Sequence, residues 1–242
     1  MTVKALRENC KHQSQVSEYC KQCCVKQFCF PIALNDNELS KFEHLGINDM
    51  HVLQKGDELF KPGMPFSHIY IIRSGSFKLS YTDLQEQEKI VNFCVPGELM
   101  GFDALVPQVH QLKAIALETS SICKISFHSL NMLATNTPSL QKKLLNFACS
   151  EQQYEYTAQL RSHAIERISY FLLDLSKRFK MRNLSACEFR LSMSRNDIAN
   201  FLGLTIETTS RMFNQLQKQQ VIELNNRDVK ICDLNKLQNI LG

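Results

Sequence analysis

The chain predicts an α+β protein in three structural parts: a glycine-punctuated antiparallel β-roll, a long connecting helix, and a small helical domain closed by a β-hairpin. Three observations carry this expectation. Gly56, Gly63, Gly75, Gly97 and Gly101 separate short apolar runs such as His68-Ile69-Tyr70-Ile71-Ile72 and Lys89-Ile90-Val91-Asn92-Phe93, the pattern of short strands joined by turns. From Pro138 to Leu160 glycine is absent, and Leu140, Leu144, Phe147, Tyr154 and Ala158 fall close to heptad spacing, as on a helix with an apolar seam. From Ala164 a helical period resumes with Ile168, Phe171, Leu172 and Leu175 and opens a last, smaller domain. The expected parts are a cysteine-rich segment at 1–30, the roll at 31–136, the helix at 137–162 and a C-terminal domain at 163–242.

The roll rests on glycine spacing, and its last strand is expected from Ser121 to Phe127. Alternation there puts Cys123 on the same face as Ile125 and Phe127, which by pattern makes it a buried hydrophobe. The helix is interrupted by Glu151, which stands between Phe147 and Tyr154. A seam of this kind pairs with a second copy or packs on its own roll; the pairing is the expectation, as a dimerisation helix.

The C-terminal domain holds a more specific pattern. Ser194-Arg195-Asn196-Asp197 fits a capping box that starts a helix, with the acid reaching back to the cap. Ile198, Phe201 and Leu202 follow at core spacing, and Gly203 supplies the residue best suited to a helix end. Thr205 can cap a second helix through Thr209, Met212, Phe213 and Leu216. Two short helices joined by such a turn form a helix-turn-helix. The outward face of the second carries Glu207, Ser210, Arg211 and Asn214 at i, i+3, i+4 and i+7. Arginine can bond guanine, glutamate a cytosine amino group, and serine either donor or acceptor; the bland alternative is a solvated face with an i,i+4 ion pair. Strand-like runs Val221-Ile222-Glu223-Leu224 and Val229-Lys230-Ile231-Cys232 flank a turn at Asn225-Asn226-Arg227-Asp228, which supplies a wing.

Charge agrees with this. The 242 residues carry a net charge of +4, yet from Arg161 onward there are 13 Lys and Arg against 8 Asp and Glu, while residues 1–160 hold 15 against 16. The positive excess lies where the winged helix would meet phosphates. No stretch is apolar for the roughly 18 residues a membrane span needs, and no secretory signal stands at Met1, so a cytoplasmic protein is expected. Its ten cysteines are then not a disulfide framework.

Cys20, Cys23 and Cys29 lie within ten residues, close enough for their thiolates to share one small volume. An iron-sulfur cluster, zinc or a metal-free redox set all fit that spacing. A fourth ligand could come from Cys10, His12, Cys24 or a distant cysteine. Cys94, Cys149, Cys187 and Cys232 lie in apolar or mixed segments and read as small hydrophobes.

Residues 190–211, with the capping box, Gly203 and the Glu-x-x-Ser-Arg pattern of Glu207, Ser210 and Arg211, resemble the winged helix of the Crp/Fnr superfamily. The pattern is similar to its Fnr branch, the fumarate and nitrate reduction regulators, and the likeness covers nearly the whole chain. It implies a cyclic-nucleotide-binding-like β-roll, a homodimer on two-fold symmetric double-stranded DNA with TTGAT-type half-sites, and RNA polymerase as a partner. Cys20-x2-Cys23-x5-Cys29-Phe30-Pro31 resembles the branch's cysteine-rich N-terminus, and Glu118-Thr119-Ser120-Ser121-Ile122-Cys123 the segment with its fourth ligand. The resemblance therefore implies an oxygen-labile 4Fe-4S cluster on Cys20, Cys23, Cys29 and Cys123 that supports the DNA-binding dimer in anaerobic regulation. Cys24, directly beside a ligand position, departs from the pattern.

Two other readings compete. Gly97-Glu98-Leu99-Met100-Gly101 resembles the start of a cyclic-nucleotide phosphate cassette, but His110-Gln111 stands where nucleotide-binding relatives carry an Arg-Ser pair, so a cyclic nucleotide lacks its charge partner. The other is a cluster-bearing enzyme or electron carrier. Seven histidines are scattered, and neither a His-Glu-x-x-His helix nor a nucleophile elbow occurs, so no enzyme is expected.

Overall fold

The computed structural model describes Cys23, Val25 and residues 50–142, 144–146 and 163–241. Among the described residues eight strands build the roll: β1 (Met50–Leu53), β2 (Glu58–Phe60), β3 (His68–Ser74), β4 (Phe77–Thr82), β5 (Glu88–Cys94), β6 (Leu99–Met100), β7 (Lys113–Ala116) and β8 (Ser120–Ser126). They form two four-stranded antiparallel sheets, ordered β1-β8-β3-β6 and β2-β7-β4-β5. Apolar side chains from both sheets, among them Phe60, Tyr70, Ile72, Phe77, Met100 and Ile122, fill the interior. Gly75 turns the chain between β3 and β4 at φ +80°, and a Cβ there would lie 2.6 Å from the Ser120 Cα.

Strand β3 is buried on both faces, because Tyr70 and Ile72 point into the roll while Ile69 and Ile71 point outward. The outward pair joins Ile125 of β8 beneath α1 (Phe127–Thr135), whose Leu130, Leu133 and Ala134 complete a second cluster. The expected strand end differs by one residue: Phe127 opens α1, because Ser126 accepts from the Ser129 amide as its N-cap. Cys123, Ile125 and Phe127 nevertheless share the outer cluster, as alternation requires. Helical residues resume at Pro138. Leu140 is fully buried and Leu144 partly buried against the chain's own roll, so these two seam positions are used in cis. Phe147, Glu151, Tyr154 and Ala158 lie outside the described residues.

The C-terminal domain contains α2 (Ala164–Lys180), β9 (Glu188–Arg190), α3 (Arg195–Leu202), α4 (Ile206–Lys218), β10 (Ile222–Asn225), β11 (Asp228–Ile231) and α5 (Leu234–Asn239). Ile168, Phe171, Leu172 and Leu175 of α2 are buried against Ile198, Phe213 and Leu216 of α3 and α4. The hairpin extends into a three-stranded sheet, β10-β11-β9. No described helix is long and apolar enough to cross a membrane.

The capping box forms at the start of α3. The Asp197 amide donates to the Ser194 hydroxyl at 3.0 Å, and the Ser194 amide to the Asp197 carboxylate at 2.9 Å. Burial alone would lift the Asp197 carboxyl, but its Ser194 bonds and Lys78 hold it below the usual range. Ser194→Ala should lower stability by about 1 kcal/mol, and Asp197→Ala by more because it also removes one of the two carboxylates that Lys78 bridges. Since the folded-state pKa is depressed, the Asp197 contribution is full above about pH 4 and fades as the pH falls below it. Urea unfolding of parent and variant across that range should show the stability gap closing toward acid.

Candidate functional site

The reading helix α4 is set by its two ends and its buried face. Gly203 ends α3 in the left-handed region at φ 64°, and Thr205 then caps α4 by accepting from the Thr208 amide at 3.1 Å. Thr209, Phe213 and Leu216 are buried, and the Arg195 guanidinium lies 3.6 Å from the Phe213 ring centroid, bracing α3 on α4. The opposite face is left open: Glu207, Arg211 and Asn214 are exposed and Ser210 half-buried. The helix-start amide and the Thr205 hydroxyl hold the Glu207 carboxyl below its ordinary value, so at neutral pH it acts purely as an acceptor. Thr205 is itself exposed, but its hydroxyl is occupied by the cap, so what it presents outward is the α4 N-terminus.

The wing is tied to the same unit. The β10–β11 loop turns through Asn226 at φ 56°, and Arg227 donates to the Ser192 carbonyl at 3.0 Å while accepting from the Leu191 amide at 2.8 Å. Lys230 and Arg190 are exposed on this sheet beside Glu223 and Asp228. Sequence reasoning missed β9. Three residues bounded by half-polar chain show no period, and only pairing with β11 makes them a strand.

Cys123 lies on β8 opposite Met50 of β1 and Ile71 of β3. Cys23 and Val25 pack against the same outer cluster, with Val25 buried. Burial pushes the Cys123 thiol up to about 12; Arg73 opposes the rise and Cys23 adds to it. Two of the four cysteines implied as ligands are thus brought to one patch from positions 100 residues apart. Cys20, Cys29 and the alternates Cys10, His12 and Cys24 lie outside the described residues. Among the described residues no group of three His, Cys, Asp or Glu is placed to hold a metal. Cys94 is buried in the roll, as expected of a small hydrophobe. Cys187 and Cys232 are exposed instead, because they fall at the outer ends of the short wing strands; Cys149 lies outside the described residues.

At the positions where a nucleotide cassette would lie, the polar side chains are bonded to groups of the chain itself. His110 is 2% exposed, stacks on Phe60 with ring centroids 4.0 Å apart, and donates through Nδ1 to Asp103 at 3.2 Å. Asp103 also accepts from the Gln111 and Leu112 amides at 2.8 and 3.0 Å. Glu98 is turned away from the roll interior and meets Arg178 and Arg182 of the C-terminal domain.

Comparison with known proteins agrees with this architecture. Residues 50–136 match the cyclic nucleotide-binding domain family and residues 166–240 the Crp-like helix-turn-helix domain family. The anaerobic regulatory protein of Haemophilus influenzae is 40% identical over 93% of this chain and 88% of its own length. The fumarate and nitrate reduction regulatory protein of Vibrio cholerae is 37% identical over 93% of this chain and 90% of its own. The structure of FixK2 from Bradyrhizobium japonicum superposes with a TM-score of 0.73 at 26% identity, covering 80% of this chain and 97% of that one. With an open reading helix, a braced wing and relatives of this kind along almost its whole length, the chain belongs to the Crp/Fnr family of DNA-binding transcription regulators, among its Fnr-like anaerobic regulators.

Proposed function

We propose that this protein is a cytoplasmic, oxygen-responsive transcription regulator that binds a two-fold symmetric TTGAT-type site as a homodimer and works with RNA polymerase. Glu207, Ser210, Arg211 and Asn214 read base edges, Thr205 presents the helix start to the backbone, and Cys20, Cys23, Cys29 and Cys123 hold a 4Fe-4S cluster. The observation that carries the sensor half is the outer cluster, which gathers Cys23, Cys123, α1 and the helical Leu140 and Leu144 into one packed unit. When bound, the cluster supplies an oxygen-labile tie between the N-terminal segment and the roll. Cys123 anchors that tie on a strand paired along both edges, and β8 runs directly into α1 and on to Pro138. A change at the cysteines therefore acts on the root of the connecting helix through packed side chains.

Half-buried Cys123, packed in the same cluster as Cys23, fits a ligand role by position, and binding there would have to displace the proton that burial retains. The bonding of His110 to Asp103 and of Glu98 to two arginines, together with the missing Arg-Ser pair, argues against a cyclic nucleotide effector.

Protein purified without air tests the sensor half. Iron and sulfide analysis should find a full complement in the parent and in Cys232→Ser, whose thiol is exposed and remote, and a sharp loss in Cys123→Ser. Circular dichroism must show that variant folded; a folded Cys123→Ser with full iron and sulfide would remove Cys123 from the ligand set. For the DNA half, Arg211→Ala should weaken binding to a TTGAT half-site by about 1 to 3 kcal/mol and relax discrimination at its guanine. Titrations against duplexes substituted at each base would show it, and an unchanged base preference would make Arg211 a phosphate contact or none.

A further inference from the structure

The roll and the DNA-binding domain meet along β5 and the β5–β6 turn. Among the described residues β5 pairs within its sheet with β4 alone, so no described strand takes its other edge. Asn200 of α3 occupies it: its side-chain amide accepts from the Ile90 amide at 2.8 Å and donates to the Glu88 carbonyl at 2.6 Å. That amide satisfies the two backbone groups that a further strand would take. Beside it Lys78 bridges Glu88, at 2.9 Å, and Asp197 of the capping box, at 3.0 Å. At the turn, Glu98 accepts from Arg178 Nε at 2.9 Å and Arg182 Nη2 at 2.7 Å, and the same arginines donate to the Phe93 and Pro96 carbonyls. Between these polar anchors, Phe93 packs 5.0 Å from Phe201 and 6.1 Å from Phe171, ring centroid to centroid. The reading face of α4 is left open by all of this.

We propose that this junction is a clamp through which the roll sets the orientation of the reading helix, with Asn200 and Glu98 as its positioning residues. In the homodimer proposed above, on which this step rests, two recognition helices must enter successive major grooves, so their fixed orientation selects the spacing between half-sites. Asn200 ties α3 to β5 from behind the reading face, and Arg195 on Phe213 carries that grip to α4. The clamp touches no base, so it governs geometry and leaves base preference to the reading stripe.

The test uses Asn200→Ala and Glu98→Gln in the full-length protein purified without air. Binding is titrated on duplexes bearing two TTGAT half-sites at the preferred spacing, the same duplexes with one or two base pairs added or removed, and duplexes with a substituted half-site. The parent should lose affinity steeply with altered spacing, and the variants should flatten that penalty by about tenfold or more while keeping half-site discrimination within about twofold. A spacing profile as sharp as the parent's in folded variants overturns the clamp. So does an equal fall in both kinds of discrimination, since general loosening of the domain would do that. A second readout needs neither DNA nor a dimer. Residual dipolar couplings of the Ile69, Ile72 and Ile122 methyls in the roll and of Ile198, Ile222 and Ile231 in the other domain should share one alignment in the parent and diverge in the variants. Two alignments in the parent overturn the clamp. A parent with one shared alignment but no preference for paired half-sites would instead remove the dimer and leave the clamp standing. If Glu98→Gln fails to fold through loss of the carboxylate its two arginines share, Asn200→Ala carries both measurements.

Discussion

Strand β8 is paired on both edges, by β1 and β3, so it cannot shift register without breaking two ladders at once. Its two faces are thereby fixed to different tasks. Ile122 completes the roll interior, while Cys123 and Ile125 look outward to α1 and Val25. A slip of one residue would send Ile122 out and Cys123 in. The cysteine patch, the seating of α1 and the start of the connecting helix all depend on that one register. β3 repeats the arrangement alongside, with Ile71 opposite Cys123 and Ile72 opposite Ile122, so the outer cluster stands on two adjacent strands.

The interface with the DNA-binding domain divides adhesion from direction. Ile90 and Phe93 reach the same outer core although they are three residues apart, because a bulge leaves Val91 unpaired between Asn92, which faces Leu79, and Ile90, which faces Ser80. Burying such side chains supplies about 1.5 to 3 kcal/mol each, but without preference for one angle. The charged groups supply the angle. Burial alone would raise the Glu98 carboxyl, yet Arg178 and Arg182 hold it below the usual range, while burial raises the Asp174 carboxyl against the pull of Arg178 and Lys177. Ion pairs of this kind add little net stability over apolar packing but penalise misalignment heavily.

Local chemistry was legible in the residues, and contacts between distant segments were not. The capping box of Ser194 and Asp197, the Thr205 cap, the left-handed Gly203 and the wing turn each depend on neighbours within a few positions, and each formed. The alternation that places Cys123 on one face with Ile125 was equally readable, whereas its half-buried position beside Cys23, in place of the full burial expected by pattern, was not. By contrast Glu98 read as part of a stretch resembling a nucleotide phosphate cassette, since nothing near it in sequence announces arginines some 80 residues away. Asn200 read as one polar residue of a short helix, and its role appears only when the free edge of β5 is brought against it. The seam on the connecting helix shows a third case: periodicity identified Leu140 and Leu144 as apolar positions, but whether a partner or the chain's own roll covers them is decided by tertiary packing.

An unpaired strand edge is a template for pairing with another molecule's strand, and proteins guard such edges with charge or cover. β5 has both, with Glu88 and Lys89 at its start and Asn200 seated over its exposed ladder. Removing the DNA-binding domain, or swinging it aside, uncovers two backbone groups in the strand that also displays Ile90 and Phe93. With Glu88 and Lys89 as the charges left at that edge, seating the DNA-binding domain on β5 also covers the edge against strand-to-strand pairing.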